Sequence, residues 1–189
     1  MIASETTIDL SQVHACILAG GRSSRMGRNK AGVLLGGQSL LQIAINTVEE
    51  FGISRTVITE DVVPKCGPLG GIITGIEQTT ADRIILLPCD MPFVPASLLR
   101  EAISKASTTA NGACVINQEL ACFPMCFNRS AQAAIREQHD SGDYSLQNLV
   151  KRLDLAPITS TNPEKELFNI NTEDDLMTAM SLISESAKG

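Results

Sequence analysis

The sequence lacks the features that define several large protein classes. It has no excess of basic residues, because its 189 residues carry a formal net charge of -6. A general nucleic-acid-binding protein needs a basic surface, so this charge balance argues against that class. No apolar run approaches the roughly 18 residues of a membrane span. The polar N-terminus also lacks the basic start and apolar middle of a signal peptide, so we expect a cytoplasmic protein without membrane or nucleic-acid partners.

Metal-binding and nucleophilic motifs are also scarce. The two histidines, His14 and His139, have no serine, aspartate or cysteine partner that the sequence identifies as catalytic. None of the six cysteines forms a Cys-x-x-Cys pair, and Cys122 and Cys126 have no histidine nearby, so we do not expect a zinc site. We interpret the cysteines as reduced thiols that serve as small apolar residues, which suits a cytoplasmic chain.

The order of the predicted elements indicates an α/β fold. The residue pattern predicts strands at 13–19, 56–59, 83–87, 113–117, 121–127 and 167–170. It predicts helices at 39–51, 68–78, 95–107, 130–138 and 145–153, with a last helix that starts at Thr172 behind a capping box. This alternation is typical of one three-layer α/β domain with a mostly parallel central sheet. We assign residues 1–12 to a flexible N-terminus and residues 13–185 to a single domain.

The most unusual stretch, LAGGRSSRMGRNK, follows the first predicted strand. Gly20 and Gly21 allow a ligand to approach the backbone closely, and successive N–H groups in such a turn form a nest for anions. Arg25 and Lys30 add two positive charges, so the stretch predicts a phosphate-binding loop. The spacing does not fit the P-loop, which excludes a P-loop ATPase. The dinucleotide fingerprint Gly-x-Gly-x-x-Gly is also absent, which leaves a nicotinamide-dependent oxidoreductase as a distant alternative.

Two further loops at the same predicted sheet edge carry compatible chemistry. Asp90 ends a buried strand, and its carboxylate suits Mg2+ bound together with phosphate. An aspartate that bonds only to turn amides is the simpler alternative, but the neighbouring anion loop favours metal binding. Gly67 and Gly70 either allow a sugar or a base to approach closely or form a flexible connection to a helix. Asn171 is either a plain helix cap or a substrate contact.

Four motifs in this order resemble one known family. They are Leu18-Ala19-Gly20-Gly21-x-Ser23-x-Arg25-Met26-Gly27-x-x-Lys30, Gly67-Pro68-Leu69-Gly70-Gly71, Cys89-Asp90-Met91-Pro92-Phe93 and Asn169-Ile170-Asn171-Thr172-x-Asp174-Asp175-Leu176. Over nearly the whole chain the sequence resembles the molybdenum cofactor guanylyltransferases, which are nucleotidyltransferases with a Rossmann-like fold. The second glycine of the first motif and the Cys-Asp-x-Pro-Phe motif favour the guanylyl branch over the cytidylyl branch.

The resemblance implies a role for each matching residue. The residues that would contact GTP are Leu18, Ala19, Gly20, Lys30 and Asp61, and those near a molybdopterin-type substrate are Asn169 and Asn171. Asp90 would bind both Mg2+ and GTP. Cofactor-delivery or acceptor proteins would be the protein partners of such an enzyme.

The implied reaction transfers GMP from GTP to the terminal phosphate of molybdopterin and releases pyrophosphate. That phosphate is already ionised near pH 7, so positioning and charge neutralisation by Arg25, Lys30 and Asp90 would dominate catalysis. The family usually has a longer stretch, with a nucleotide-contacting asparagine, before its Gly-Pro-Leu loop, whereas residues 56–61 here run almost directly into that loop. Two alternatives therefore stay open: an enzyme of the same class that uses CTP or another acceptor, and a nucleotide-binding module without turnover.

Overall fold

The structure, a computed structural model, describes residues 8–20 and 29–186. The strands are β1 (Val13–Leu18), β2 (Leu34–Leu35), β3 (Gln38–Ser39), β4 (Ser54–Ile58), β5 (Arg83–Pro88), β6 (Gly112–Asn117), β7 (Leu120–Asn128) and β8 (Ala156–Ile158). The helices are α1 (Leu40–Glu49), α2 (Pro68–Glu77), α3 (Ala96–Ala106), α4 (Gln132–Asp140), α5 (Leu146–Leu153), α6 (Pro163–Glu166) and α7 (Glu173–Ser186). Short 3-10 turns at Leu10–Gln12, Lys30–Gly32 and Arg129–Ala131 precede β1, β2 and α4.

The central sheet contains six of these strands, in the order β4-β1-β5-β7-β6-β8. β1 runs parallel to both β4 and β5, and β8 runs parallel to β6. β7 is antiparallel to both of its neighbours, β5 and β6, so the other five strands of the sheet share one direction. The prediction of a mostly parallel central sheet is confirmed.

One face of the sheet is covered by α2, α4 and α5. Gly75 of α2 lies so close to the sheet that a Cβ at this residue would stand 3.2 Å from Cys16 Cβ and 3.3 Å from Leu86 Cδ2. α4 packs against α2, where Arg136 and Glu77 form an ion pair, and α5 packs against α4. These contacts hold α2 directly over β1 and β5.

The other face of the sheet is covered by α1 and α3. The connections β1–α1–β4 and β4–α2–β5 cross the sheet in opposite directions, and right-handed crossovers then place α1 and α2 on opposite faces. The guanidinium of Arg100 in α3 lies 4.9 Å from the ring centroid of Phe51, just after α1. Because helices cover both faces, residues 84–87 of β5 are all buried, as their continuous apolar pattern predicts. The three-layer α/β/α prediction is confirmed.

A second apolar cluster joins two distant parts of the chain. It consists of Val33, Leu35 and Leu40 near the β2–β3 hairpin and of Ile170, Leu176 and Ala179 in and before α7. The hairpin turns at Gly36 and Gly37, whose φ angles of 60° and 86° favour glycine. This hairpin was not predicted. The cluster packs the last helix against the segment that follows Lys30.

The element boundaries agree with most of the sequence predictions. Ser39 caps α1 as expected, because its side chain accepts a hydrogen bond from the Gln42 N–H at 3.1 Å. The strand predicted at 167–170 is wrong, because this segment joins no sheet and the Ile170 N–H donates to the Asp90 carbonyl instead. The edge strand next to β6 is β8, which the sequence analysis missed. No helix within the described residues is long and apolar enough to cross a bilayer.

The close contact at Gly75 makes a prediction about stability. Gly75→Val should lower the free energy of unfolding by about 1–3 kcal/mol, because the added side chain would separate α2 from the sheet. Urea denaturation followed by circular dichroism measures this loss. Gly32→Val is the matched control, since a Cβ at Gly32 would meet nothing within 4 Å. Equal stability of the two variants would contradict the close packing of α2 on β1.

Candidate active site

A cavity of about 700 Å³ lies at the carboxyl edge of the parallel strands. β1, β4 and β5 end in register there, with Leu18 paired to Ile58 on one side and to Pro88 on the other. The loops that follow these strands therefore converge, which is where open α/β sheets bind their ligands. Seven of the predicted site residues line the cavity: Leu18, Gly20, Lys30, Asp61, Gly67, Asp90 and Asn169.

Lys30 lies between two polar side chains in the middle of this cavity wall. Its Nζ donates a hydrogen bond to Asp90 Oδ2 at 2.8 Å and another to Asn171 Oδ1 at 2.6 Å. The side chains of Lys30 and Asp90 are 17% and 19% exposed, so they are largely desolvated but still reach the cavity. A cation and a carboxylate are thus held side by side, which suits an anionic ligand bound with a metal ion.

Three separate segments hold this cluster in place. Asn29 caps the 3-10 turn at Lys30, because its side chain accepts a hydrogen bond from the Ala31 N–H at 3.0 Å. The Cys89 N–H donates to the Leu18 carbonyl at 3.0 Å, and the Ile170 N–H donates to the Asp90 carbonyl at 2.9 Å. The backbone therefore fixes the cluster from both sides of Asp90.

The capping box that the sequence predicts at α7 also orients Asn171. Asp175 Oδ2 accepts hydrogen bonds from the backbone N–H groups of Asn171 and Thr172, both at 2.8 Å, and Thr172 Oγ1 accepts one from the Asp175 N–H at 3.1 Å. The bond from the Asn171 N–H is the largest cause that lowers the pKa of the Asp175 carboxyl, and the Lys30 charge adds a smaller contribution. The predicted helix cap and the contact of Asn171 with Lys30 are therefore parts of one arrangement.

The loop after β1 leaves no space for a side chain at Gly20. A Cβ there would stand 2.7 Å from the Thr59 carbonyl oxygen, closer than atoms can approach. Ala19 is buried behind the wall of the cavity, and its N–H donates to the Ile58 carbonyl at 2.8 Å. The predicted site residues Gly21 and Arg25 lie outside the residues that the structure describes.

The loop after β4 lies directly on the first turns of α2. Thr74 is fully buried, accepts a hydrogen bond from the Val62 N–H at 2.9 Å and donates one to the Gly70 carbonyl at 2.8 Å. A Cβ at Gly70 would stand 2.8 Å from the Val63 carbonyl oxygen and 2.9 Å from Asp61 Oδ2. Gly70 thus makes room for this loop and does not itself line the cavity. Loss of hydration beside α2 raises the pKa of the Asp61 carboxyl.

The sequence analysis missed the far wall of the cavity. This wall is formed by the β6–β7 hairpin and the start of α5, and includes Asn117, Gln118, Leu120, Phe123, Leu146 and Gln147. Of the two predicted substrate contacts, Asn169 lines the cavity, whereas Asn171 holds Lys30. The sequence predicts both strands of this hairpin, but its turn contains Gln118 and Glu119 where glycine or asparagine is usual, and no local motif indicates that it lines a cavity.

The cysteines near the cavity are poorly suited to nucleophilic attack. Burial, and secondly the charge of Asp90, raise the pKa of the Cys89 thiol to about 12. Burial raises the pKa of Cys122, which lines the cavity, to about 11. Both thiols are therefore neutral at pH 7. Among residues 8–20 and 29–186, no group of three or more histidine, cysteine, aspartate or glutamate side chains could hold a metal ion.

Comparisons with known proteins identify relatives across most of the chain. The sequence matches the family model described as the MobA-like NTP transferase domain over residues 15–61 and 56–157. It is 32% identical over 184 residues to a molybdenum cofactor guanylyltransferase of Haemophilus influenzae, covering 87% of this chain and 95% of that protein. A protein of the same name from Rhizobium johnstonii is 32% identical over 200 residues, covering 93% of this chain and 95% of its own length.

Solved structures share the fold at lower identity. The molybdopterin-guanine dinucleotide biosynthesis protein A of Archaeoglobus fulgidus has a TM-score of 0.70 at 19% identity, covering 91% of this chain and 99% of that one. The 4-diphosphocytidyl-2C-methyl-D-erythritol synthase of Anaerococcus prevotii has a TM-score of 0.70 at 14% identity, covering 94% of this chain and 98% of that one. The likeness at these identities establishes the nucleotidyltransferase fold.

The bonds of Asp175 predict a pH-dependent stability. Asp175→Asn should lower the Tm at pH 7, because the amide is a weaker acceptor for the two backbone N–H groups. The folded pKa lies below the ordinary value of 3.8, so the carboxylate stabilises the protein above that pH and loses its contribution as the pH falls through the folded pKa. The Tm difference from the wild type should therefore shrink in thermal scans from pH 7 towards pH 3. Asp174→Asn, an exposed neighbour in α7, is the control and should show a smaller difference throughout.

Proposed function

The chain belongs to the family of MobA-like NTP transferases, and from this premise we propose that it transfers GMP from GTP to the terminal phosphate of molybdopterin. The products are the guanine dinucleotide form of the cofactor and pyrophosphate. The observation that carries the proposal is the Lys30–Asp90 pair, largely desolvated at the carboxyl edge of the sheet in a cavity of about 700 Å³. The relatives that span most of the chain are named for the same activity.

GTP would occupy the part of the cavity over β4 and β1. The proposed contacts are Leu18, Gly20, Gly21, Asp61 and Gly67, together with Lys30 and Asp90. Ala19 and Gly70, which the sequence also predicts as nucleotide contacts, lie behind the wall of the cavity and would shape it from below. The tight approach of Gly20 to Thr59 supports contacts through the backbone of this loop, because no side chain there covers the peptide groups. Asp61 supplies a carboxylate at the same end of the cavity, which suits the N–H groups of a guanine base or the hydroxyls of a ribose.

NTP transferases generally use a divalent metal ion. We propose Mg2+, with Asp90 as its protein ligand. The residues present fit this ion, because Mg2+ is commonly held by one or two carboxylates and by substrate phosphates instead of a complete protein cage. When bound, Mg2+ would neutralise phosphate charge near the α-phosphorus.

The protein's own groups position the reactants and balance their charge. Lys30 would stabilise the charge that develops on the departing pyrophosphate, and Asn171 would keep its ammonium directed at the phosphates. Arg25 would assist Lys30, a role that rests on the sequence motif. Asn169 would face the acceptor. No histidine in the described part of the chain lines the cavity, and none is needed, because the attacking phosphate is already ionised at neutral pH.

The proposal also includes the cellular compartment of the enzyme and its partner proteins. We place the enzyme in the cytoplasm, as a single domain at residues 13–185 whose product passes to acceptor proteins and whose pterin substrate arrives from delivery proteins. All six cysteines are free thiols, which fits a reducing compartment.

Lys30→Ala tests the charge-stabilising role. We expect kcat/KM to fall by about 10²–10³, the usual loss for one transition-state contact, while the circular dichroism spectrum stays native. Steady-state assays of pyrophosphate release measure this loss. Lys105→Ala, an exposed lysine in α3, is the matched control and should keep full activity. Unchanged kcat/KM in Lys30→Ala would remove Lys30 from the mechanism.

Nucleotide choice tests the reaction as a whole. Pyrophosphate release is measured with GTP, CTP or ATP, in the presence of Mg2+ and freshly prepared molybdopterin. Release with GTP alone is the expected result, and release with CTP would move the chain to the cytidylyl branch. Thermal protection by GTP without any turnover would identify a binding module. Neither turnover nor protection would contradict the proposed nucleotide site.

A further inference from the structure

The cavity continues well beyond the Lys30–Asp90 pair. Past β5 the sheet adds β7 and then β6, whose hairpin forms the far wall. Neighbouring strands lie roughly 4.8 Å apart, so β6 lies roughly 10 Å from β5, where Asp90 follows the strand. An acceptor with its phosphate at Lys30 and Asp90 would therefore place its ring system against this hairpin.

The far wall is mostly apolar, with two polar side chains. Leu120, Phe123 and Leu146 line it, and Leu120 is 60% exposed. Asn117 and Gln118 line the same wall, and within the described residues neither of their side-chain amides makes a hydrogen bond. Apolar surfaces next to unpartnered amides suit a flat ring whose faces are hydrophobic and whose edge forms hydrogen bonds.

The far wall contains a third side-chain amide, that of Gln147, which is hydrogen-bonded within the wall. Gln147 Nε2 donates a hydrogen bond to the Ala121 carbonyl at 2.8 Å, and Gln147 Oε1 accepts one from the Ala121 N–H at 2.9 Å. This pair of bonds fixes the start of α5 to the start of β7, next to the turn of the hairpin. Gln147 therefore supports the hairpin on its cavity side. Asn117 and Gln118 are the other two amides of the far wall, and they are available to bind a ligand.

The backbone of the hairpin is unfavourable for the residues that it contains. Asn117 pairs with Leu120, so Gln118 and Glu119 are the two central residues of a tight turn. Their φ angles are 48° and 68°, a left-handed conformation that asparagine and glycine adopt far more readily. Unfavourable backbone conformations of this kind cluster at ligand sites, where the side chain is retained for another purpose. Gln118 lines the far wall of the cavity, so binding a ligand would explain why its side chain is retained in this turn.

We propose that Gln118, assisted by Asn117, is a specificity-determining residue that binds the edge of the acceptor's pterin ring. This inference rests on the proposed function, which makes the acceptor a pterin phosphate. The pyrimidine edge of a pterin presents N–H donors beside a carbonyl acceptor, and a primary amide offers the complementary oxygen and NH2 group. Leu120, Phe123 and Leu146 then contact the ring faces.

The substitution Gln118→Asn distinguishes an effect on acceptor binding from an effect on folding stability. The substitution shortens the amide by one methylene and places a residue in the turn that tolerates positive φ better. We expect an unchanged or higher Tm, an acceptor KM raised roughly tenfold by the loss of one or two hydrogen bonds, and an unchanged KM for GTP. A purely structural role of Gln118 would leave the acceptor KM unchanged.

Glu119→Gly is the matched control, since it relieves the same turn but removes a side chain that does not line the cavity. It should raise the Tm and leave the acceptor KM unchanged. Asn117→Ala should weaken the acceptor in the same direction as Gln118→Asn. An acceptor KM that rises equally in Glu119→Gly and Gln118→Asn would assign the effect to turn geometry and overturn the proposal.

A direct binding measurement keeps this proposal distinct from the proposed function. The probe is a pterin monophosphate, whose intrinsic fluorescence reports binding to the full chain without turnover. Weaker binding to Gln118→Asn supports the pterin site even if no pyrophosphate is released, in which case the proposed function alone fails. GTP-dependent turnover with equal pterin affinity in the wild type and Gln118→Asn overturns this inference and leaves the function standing. Absence of both pterin binding and turnover in the wild type overturns both.

Discussion

The ammonium of Lys30, shared between Asp90 and Asn171, connects segments that are far apart in the sequence. Asp90 follows the central strand β5, Lys30 follows the glycine-rich loop, and Asn171 precedes the last helix. A largely desolvated carboxylate needs a partner, so Lys30 stabilises the site before any ligand binds. In the proposed reaction the same lysine also binds an incoming phosphate. The neighbouring Asn171 amide permits this, because it holds the ammonium without adding a competing negative charge.

The order of strands in the sheet divides the cavity into regions. β4 and β1 lie beneath the end that we propose for the nucleotide, and β1 and β5 lie beneath the Lys30–Asp90 pair. β7 and β6 carry the hairpin at the end that we propose for the acceptor. The antiparallel direction of β7 makes the last region available, because it brings the β6–β7 turn to the same edge as the carboxyl ends of the parallel strands. Over β4 and β1, close packing at Gly70 and the hydrogen bonds of buried Thr74 fix the short loop that carries Asp61.

Residues of the site were predictable where they follow parallel strands. Gly20 and Asp90 lie in the loops that follow β1 and β5. Neighbouring parallel strands bring such loops together at their carboxyl ends, independently of the rest of the fold. Gln118 and Gln147 were not predictable, because their place in the wall depends on the pairing of β6 with β7 and on the packing of α5. The predicted strand at 167–170 was wrong for a similar reason: its apolar residue Ile170 is buried in the second cluster with Leu35 and not in a sheet.

That second cluster also bears on the order in which the chain leaves the ribosome. Lys30 is synthesised 141 residues before Asn171, whose amide holds its ammonium, and the residues that pack on the following hairpin come from the same later part of the chain. A nascent chain that ends before residue 170 contains the glycine loop, the nucleotide-side loop and Asp90, but not the helix that closes the cluster. The cluster around Lys30 therefore cannot assemble until residues 170–179 have been synthesised, so its formation depends on a contact between distant segments and not on the glycine-rich loop alone.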